Sequence, residues 1–246
     1  MKEPIIKINS LTAKYGEQVI LEDITVDIYP EEITVILGPS GCGKTTLLKN
    51  MLRLQQPSAG YVEIFGQNIT EMNEAEYESM LVRIGVLFQG GALLNSIDIY
   101  ENISIPLEQH TALPKEIIDK MIRVKLQLVN LSEALHKKPS ELSGGMRKRA
   151  ALARAIVLDP EILFCDEPSA GLDPLTSASL DELILDLKKQ LKMTVVVVTH
   201  ELASIHRIAD KIIFLDEGKM LFTGTIEEAK NSGIKNVTEF FRVGKF

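Results

Sequence analysis

The chain has 246 residues, 45% hydrophobic and 25% charged, with a formal net charge of −7. That fits a globular protein built as one large α/β domain or as a core with an inserted lobe, and the acidity argues against binding nucleic acid through bulk electrostatics. No apolar run approaches the roughly 18–20 residues needed to cross a bilayer, Met1–Pro4 lacks the apolar core of a signal peptide, and the two cysteines, Cys42 and Cys165, form no disulfide framework, so a protein of the reducing cytoplasm is expected.

Residues 5–11 and 20–28 alternate apolar and polar as half-buried strands do, and 60–66 makes a third such run. They predict a small antiparallel sheet flanking a core. Tyr15 falls between the first two runs, in a turn ending at Gly16. It is either an aromatic on which an adenine stacks or a partly exposed turn residue. Ile33 to Leu37 is β-branched and strand-like. It leads into Gly38-Pro39-Ser40-Gly41-Cys42-Gly43-Lys44-Thr45 and then a helix from Thr46 to Leu52. A strand–loop–helix context is what the pattern G-x-x-x-x-G-K-[ST] requires of a phosphate-binding loop. Its glycines let successive N–H groups converge on a phosphate, and the helix directs its positive end at the same oxygens. Lys44 adds a full charge on the β- and γ-phosphates, and the Thr45 hydroxyl is placed to hold Mg²⁺. The chain is expected to bind a nucleoside triphosphate.

Residues 72–83 read as a helix and 84–88 as a strand ending at Gln89 beside Gly90 and Gly91, where α/β folds put ligand contacts. From Leu94 to Lys138 the pattern is helical, with breaks expected at Pro106 and Pro114, and suggests an inserted helical lobe. Ser143-Gly144-Gly145 opens a helix from Met146 to Val157 and supplies backbone N–H groups for a second anion site. Most of the basic residues of that helix, Arg147, Lys148, Arg149 and Arg154, are expected on a solvated face. Glu161 to Cys165 is an apolar strand delivering Asp166 and Glu167, the first to hold Mg²⁺ through water and the second to polarise an attacking water. A tight loop ending at Asp173-Pro174 precedes a helix from Leu175 to Leu191. Val195 to Val198 is a buried strand ending at Thr199-His200, where the histidine is either a γ-phosphate contact or structural. Helix 201–209, strand 212–215 and a short edge strand 218–222 follow. Thr225 with Glu228 is a capping box for a helix through Lys230. The tail from Val237 carries three exposed-looking phenylalanines that dock either on a partner or on the chain's own core.

The phosphate loop, Gln89, Leu142-Ser143-Gly144-Gly145, Asp166-Glu167, Asp173 and His200 occur in one order, and this constellation resembles the ATP-binding-cassette (ABC) ATPases over nearly the whole length. The resemblance implies an α/β P-loop NTPase fold with a RecA-like core, a small antiparallel β subdomain and an inserted helical subdomain. The cassette would cover residues 4–240, with the helical part at about 94–155 and a tail at 241–246. It makes Tyr15 the adenine-stacking aromatic and Gly38 to Thr46 the Walker A loop (Gly38, Pro39, Ser40, Gly41, Cys42, Gly43, Lys44, Thr45, Thr46). Gln89 becomes a sensor of Mg²⁺ and water, Asp166 the Walker B carboxylate, Glu167 the catalytic base and His200 the switch histidine. Thr45, Gln89 and Asp166 are then the metal set. Ser143, Gly144, Gly145 and Asp173 contact nucleotide across a head-to-tail dimer, so one chain holds half a site for ATP and Mg²⁺.

The resemblance makes Leu142 to Gly145 the family's signature, which commonly continues with glutamine, whereas Met146 follows here. That variant, with Phe88–Leu93 and Pro106–Thr111, is similar to the Mla-type phospholipid-transport ATPases, which serve transporters associated with MCE-domain proteins. The resemblance implies a multi-helix permease docking a coupling helix near 94–138, an MCE-domain substrate-binding protein, a STAS-domain subunit and a place on the cytoplasmic face of the inner membrane. Two other readings compete: an ATPase for another substrate, such as amino acids or lipoproteins, and a non-transport cassette acting on DNA or ribosomes. The acidic charge opposes the last.

Overall fold

The computed structural model describes residues 2–243. Residues up to Tyr77 together with those from Thr194 onward form one unit, and Glu78–Met193 form the other.

In the first unit, β1 (Ile6–Tyr15), β2 (Gln18–Ile28), β4 (Ala59–Ile64) and β5 (Gln67–Asn68) make an antiparallel sheet in the order β2-β1-β4-β5. Alternation buries Ile6, Ile8, Leu11 and Ala13 on one face of β1. The break in that period between Ile8 and Leu11 is a bulge, with Ser10 at φ 44°. A second ladder places β3 (Ile33–Leu37) between β8 (Thr194–Val198) and β9 (Lys211–Asp216), parallel to both, with β10 (Lys219–Gly224) antiparallel to β9. Every residue of β3 and β8 is buried, as parallel strands covered on both faces require, and both are rich in valine and isoleucine. Helices α1 (Lys44–Met51), α7 (Leu202–Ile208), α8 (Ile226–Lys230) and α9 (Lys235–Val243) complete this unit, and α2 (Glu74–Leu81) leads from its sequence into the next.

The second unit pairs β6 (Ile84–Leu87) and β7 (Ile162–Asp166) in parallel, with α3 (Ile99–His110), α4 (Lys115–Leu128), α5 (Gly144–Ala155) and α6 (Pro174–Leu191). The α/β class, the small antiparallel sheet and the helical segment agree with the sequence-based expectation. Two expectations need correction, and for the tail one of two alternatives holds. Pro106 lies inside α3, with no break in the helix; Pro114 does bound one, as the residue capping α4. The tail docks on the chain's own core: Val237 and Phe241 are buried, and Phe240 meets Phe214 edge-on at 5.3 Å between ring centroids. Phe246 lies outside the described residues. The basic residues of α5 are not a solvated face, as described below.

Candidate functional site

The parallel register of β3 and β8 pairs Ile36 with Val198, so the loops after both strands leave from one edge. One is the phosphate loop and the other is Thr199-His200. Thr199 N–H donates to the Ile36 carbonyl at 3.2 Å, and His200 is exposed. Within the phosphate loop the backbone is left-handed at Gly38, Gly41 and Gly43. Gly38 has no alternative: a β-carbon there would lie 2.0 Å from the Leu215 carbonyl oxygen. Gly43 caps α1, and a β-carbon there would strike Leu21. Lys44 Nζ folds back on its own loop, donating to the carbonyls of Gly38 and Pro39, each at 2.9 Å. These are the bonds it would exchange for phosphate oxygens. Burial pushes the Cys42 thiol up, against the pull of Lys44 beside it. Pro39, Ser40 and the Thr45 hydroxyl stand at the surface, while Thr46 is buried in the first turn. Tyr15 ends β1 with half its surface exposed, 52%.

In the second unit the pairing of Leu87 with Cys165 again sends two segments off one edge. One carries the exposed Gln89 and the other Asp166 and Glu167, both half-buried. Glu167 has φ 46°, a conformation that few non-glycine residues adopt. Cys165, on the strand between the apolar core and these carboxylates, is fully buried, and its thiol is pushed up to about 12 by that burial; it stays protonated and inert. Lys148, in α5, donates to the Gln89 carbonyl at 2.5 Å and the Glu167 carbonyl at 3.2 Å. Arg154 donates to the carbonyls of Gly91 and Ala92, and Arg149 to the Val129 carbonyl and the Ser179 hydroxyl. Each of these three basic residues donates to main-chain carbonyls within the unit, and Arg149 to a side-chain hydroxyl as well. The reading of α5 as a solvated face fails at Lys148, Arg149 and Arg154 and holds only at Arg147, which is exposed.

Ser143 is exposed and caps α5, its hydroxyl accepting from Met146 N–H at 3.3 Å. Gly144 and Gly145 form the first turn. Asp173 caps α6 by accepting from the N–H groups of Leu175 and Thr176 and from the Thr176 hydroxyl. Those bonds, the hydroxyl first, hold its carboxyl below the usual range. Gly145 and Thr176 face one another, so the structure brings the Ser143–Gly145 turn and the Asp173 cap together. Asn102, which the sequence does not single out, is fully buried. Its amide accepts from Leu94 N–H and donates to the Leu94 and Asp98 carbonyls, and so orders the loop after Gln89. An isolated asparagine in a helix carries no sequence signal for this.

Among the described residues no three or more His, Cys, Asp or Glu side chains gather into a metal site, and no helix is long and apolar enough to cross a membrane. The candidate donors at Thr45, Gln89 and Asp166 are all oxygens, the set that a hard ion such as Mg²⁺ prefers.

The family model described as ABC transporter matches residues 21–170. Over 235 residues the chain is 41% identical to a probable ribonucleotide transport ATP-binding protein, mkl, of Mycobacterium leprae, covering 96% of this chain and 68% of the relative. Over 242 residues it is 38% identical to the intermembrane phospholipid transport system ATP-binding protein MlaF of Haemophilus influenzae, covering 98% and 92%. Among solved structures, a dimeric post-hydrolysis state of the ATP-binding cassette MJ0796 bound to ADP and Pi is similar at a TM-score of 0.81 and 30% identity, covering 89% of this chain and 98% of that one.

Proposed function

The chain belongs to the ABC transporter family and is an ATP-binding, ATP-hydrolysing subunit, and from that premise we propose that it powers phospholipid transport through a partner permease. The observation that carries the lipid reading is the likeness to MlaF across nearly the full length of both chains. Met146, after Ser143-Gly144-Gly145, fits that subgroup. A second reading has its own support, because the mycobacterial relative named for ribonucleotide transport is slightly more similar.

The catalytic roles follow from the chemistry of each residue. ATP lies on the N–H groups of 38–46 with adenine on Tyr15, and Lys44 turns from its loop carbonyls to the β- and γ-phosphates. Thr45, Asp166 and Gln89 would hold Mg²⁺, which when bound neutralises charge developing on the phosphates. Glu167 takes the proton of the attacking water, and His200 steadies the γ-phosphate as the bond to it breaks. The N-terminus of α5 in a second copy, Ser143 to Gly145, meets the same triphosphate, with Asp173 beside it. Two helix N-termini then flank one polyanion, and one chain alone offers only half the cradle.

On the second unit, a cavity of about 170 Å³ is lined by Ile84, Gly85, Pro106, His110, Arg154 and Ala155. Its walls come from β6 and from the last turns of α3 and α5, and because Arg154 among them also holds the Gly91 and Ala92 carbonyls, a permease helix docked there would act on the segment after Gln89. An MCE-domain protein and a STAS-domain subunit would complete the assembly at the cytoplasmic face of the inner membrane.

The deciding experiment is capture of the tagged chain from detergent-solubilised native membranes, with mass spectrometry of co-purifying proteins and small molecules. A permease and an MCE-domain protein carrying phospholipid are the expected result. A permease without lipid that is loaded with ribonucleotide would move the assignment to the second reading.

A further inference from the structure

A lysine that leaves water must find acceptors. Lys148, with 7% of its surface exposed, finds two main-chain carbonyls, those of Gln89 and Glu167. They belong to the segments that leave β6 and β7, one carrying the proposed sensor glutamine and the other the proposed base. Glu167 is held at φ 46°, where a side chain is strained and persists only if its surroundings over-determine it. Its carbonyl accepts from Lys148 and also from Ala170 N–H at 3.2 Å. The same ridge of α5 grips the glutamine segment twice more. A β-carbon on Gly91 would come 3.3 Å from Ala151 Cβ, and Arg154 reaches the Gly91 carbonyl at 2.8 Å and the Ala92 carbonyl at 2.7 Å. Residues 148, 151 and 154 are three apart and so share one helix face. That face continues the helix whose first turn is Ser143–Gly145.

We propose that Lys148 is a positioning residue: it ties the backbones of Gln89 and Glu167 to the helix that begins at Ser143, and so fixes where both side chains are presented. The inference rests on the roles given above to Gln89 and Glu167. Both of these bonds are made to main chain, and they call for a donor at that depth. Arginine carries enough donors on its fork to hold two carbonyls, whereas methionine fills similar space and donates nothing.

The test uses the purified full-length chain as wild type, Lys148→Met and Lys148→Arg. Hydrogen exchange is followed in peptides spanning 88–92 and 166–170, alongside ATP affinity and turnover. Lys148→Met should speed exchange in both peptides by about ten-fold and cut kcat by about ten-fold or more, since small misplacements of catalytic groups are costly. The ATP Kd should stay within about two-fold, because the Lys44 loop is not touched. Lys148→Arg should restore both readouts. Unchanged exchange in Lys148→Met overturns the proposal. So does a uniform rise in exchange along the whole chain that Lys148→Arg fails to reverse, which would make Lys148 an ordinary core residue. Glu167→Gln is measured in parallel, and normal turnover there would remove the base assignment while leaving the exchange result on Lys148 to be judged by itself.

Discussion

Gly145 occupies a helical position where alanine ordinarily stabilises by about 0.8–1 kcal/mol. Here an added β-carbon falls 2.5 Å from the Thr176 methyl. Thr176 is not free to swing aside, because its hydroxyl donates to Asp173 at 2.5 Å and its N–H to the same carboxylate at 3.1 Å. Overpacking of this kind costs about 1–3 kcal/mol, so the clash outweighs the propensity. Gly145→Ala should therefore lower stability by about 1 kcal/mol. The double change Gly145→Ala with Thr176→Ser removes only the offending methyl and should return to wild type or exceed it. Denaturant unfolding of the four proteins checks this, and strictly additive effects would show that the two residues do not meet. The Asp173 carboxyl sits below its ordinary range chiefly because of the Thr176 hydroxyl. Its folded value is thus lower than its unfolded one, and the cap's contribution is present above the unfolded value and fades only as pH falls through the folded one. Near neutrality the cap is fully made.

Elements were legible where their signals are local. Thr225 and Glu228 make the capping box of α8 as the spacing requires, because both halves of that device lie within one turn. The phosphate loop was legible for the same reason. What local pattern does not encode is burial chosen by distant chain. Lys148 and Arg154 resemble a solvated basic face until carbonyls some sixty residues earlier arrive to receive them. The C-terminal phenylalanines look exposed until α9 docks. There Phe241 is 2% exposed and packs edge-on against His206, ring centroids 5.9 Å apart, and Asn236 donates to Asp216. Phe241→Ala should weaken this docking by about 3 kcal/mol, seen as faster hydrogen exchange confined to α9. His206 adds a pH signature: burial lowers its proton affinity, and Lys230 lowers it further. The folded pKa is below the unfolded value of about 6.5, so stability is complete above that value and declines as pH falls through the folded one. The unfolding midpoint should drop between pH 7 and pH 5.5, and His206→Gln should flatten that drop. A parallel fall in the variant would remove His206 as the cause.

For the whole molecule, what matters is where the candidate half-sites lie. Lys44 and the phosphate loop lie in one unit, and Ser143–Gly145 lies at the exposed N-terminus of α5 in the other. The similar cassette MJ0796 is dimeric with ADP and Pi bound. If each ATP is shared between the phosphate loop of one copy and the α5 N-terminus of another, damage to the two halves must complement. Lys44→Ala removes the cation proposed to meet the phosphates. Ser143→Arg puts a bulky cation at an exposed helix start, at a folding cost of about 1 kcal/mol for the lost cap. Each variant alone should be inactive. In an equal mixture, half of the dimers pair one of each, and every such dimer holds one site with both faults and one with none. ATP hydrolysis should therefore return to roughly a quarter of wild type, rising with total protein concentration as dimers form. Lys44→Ala mixed with Glu167→Gln is the control. On the roles proposed above, Lys44 and Glu167 act on the same nucleotide, so that mixture would leave no intact site and should stay inactive. Recovery in the first mixture alone would assign Ser143–Gly145 to the partner's nucleotide. Recovery in neither, with dimers present by sedimentation, would mean that each chain completes its own site, and the cross-dimer roles of Ser143, Gly144, Gly145 and Asp173 would fall together.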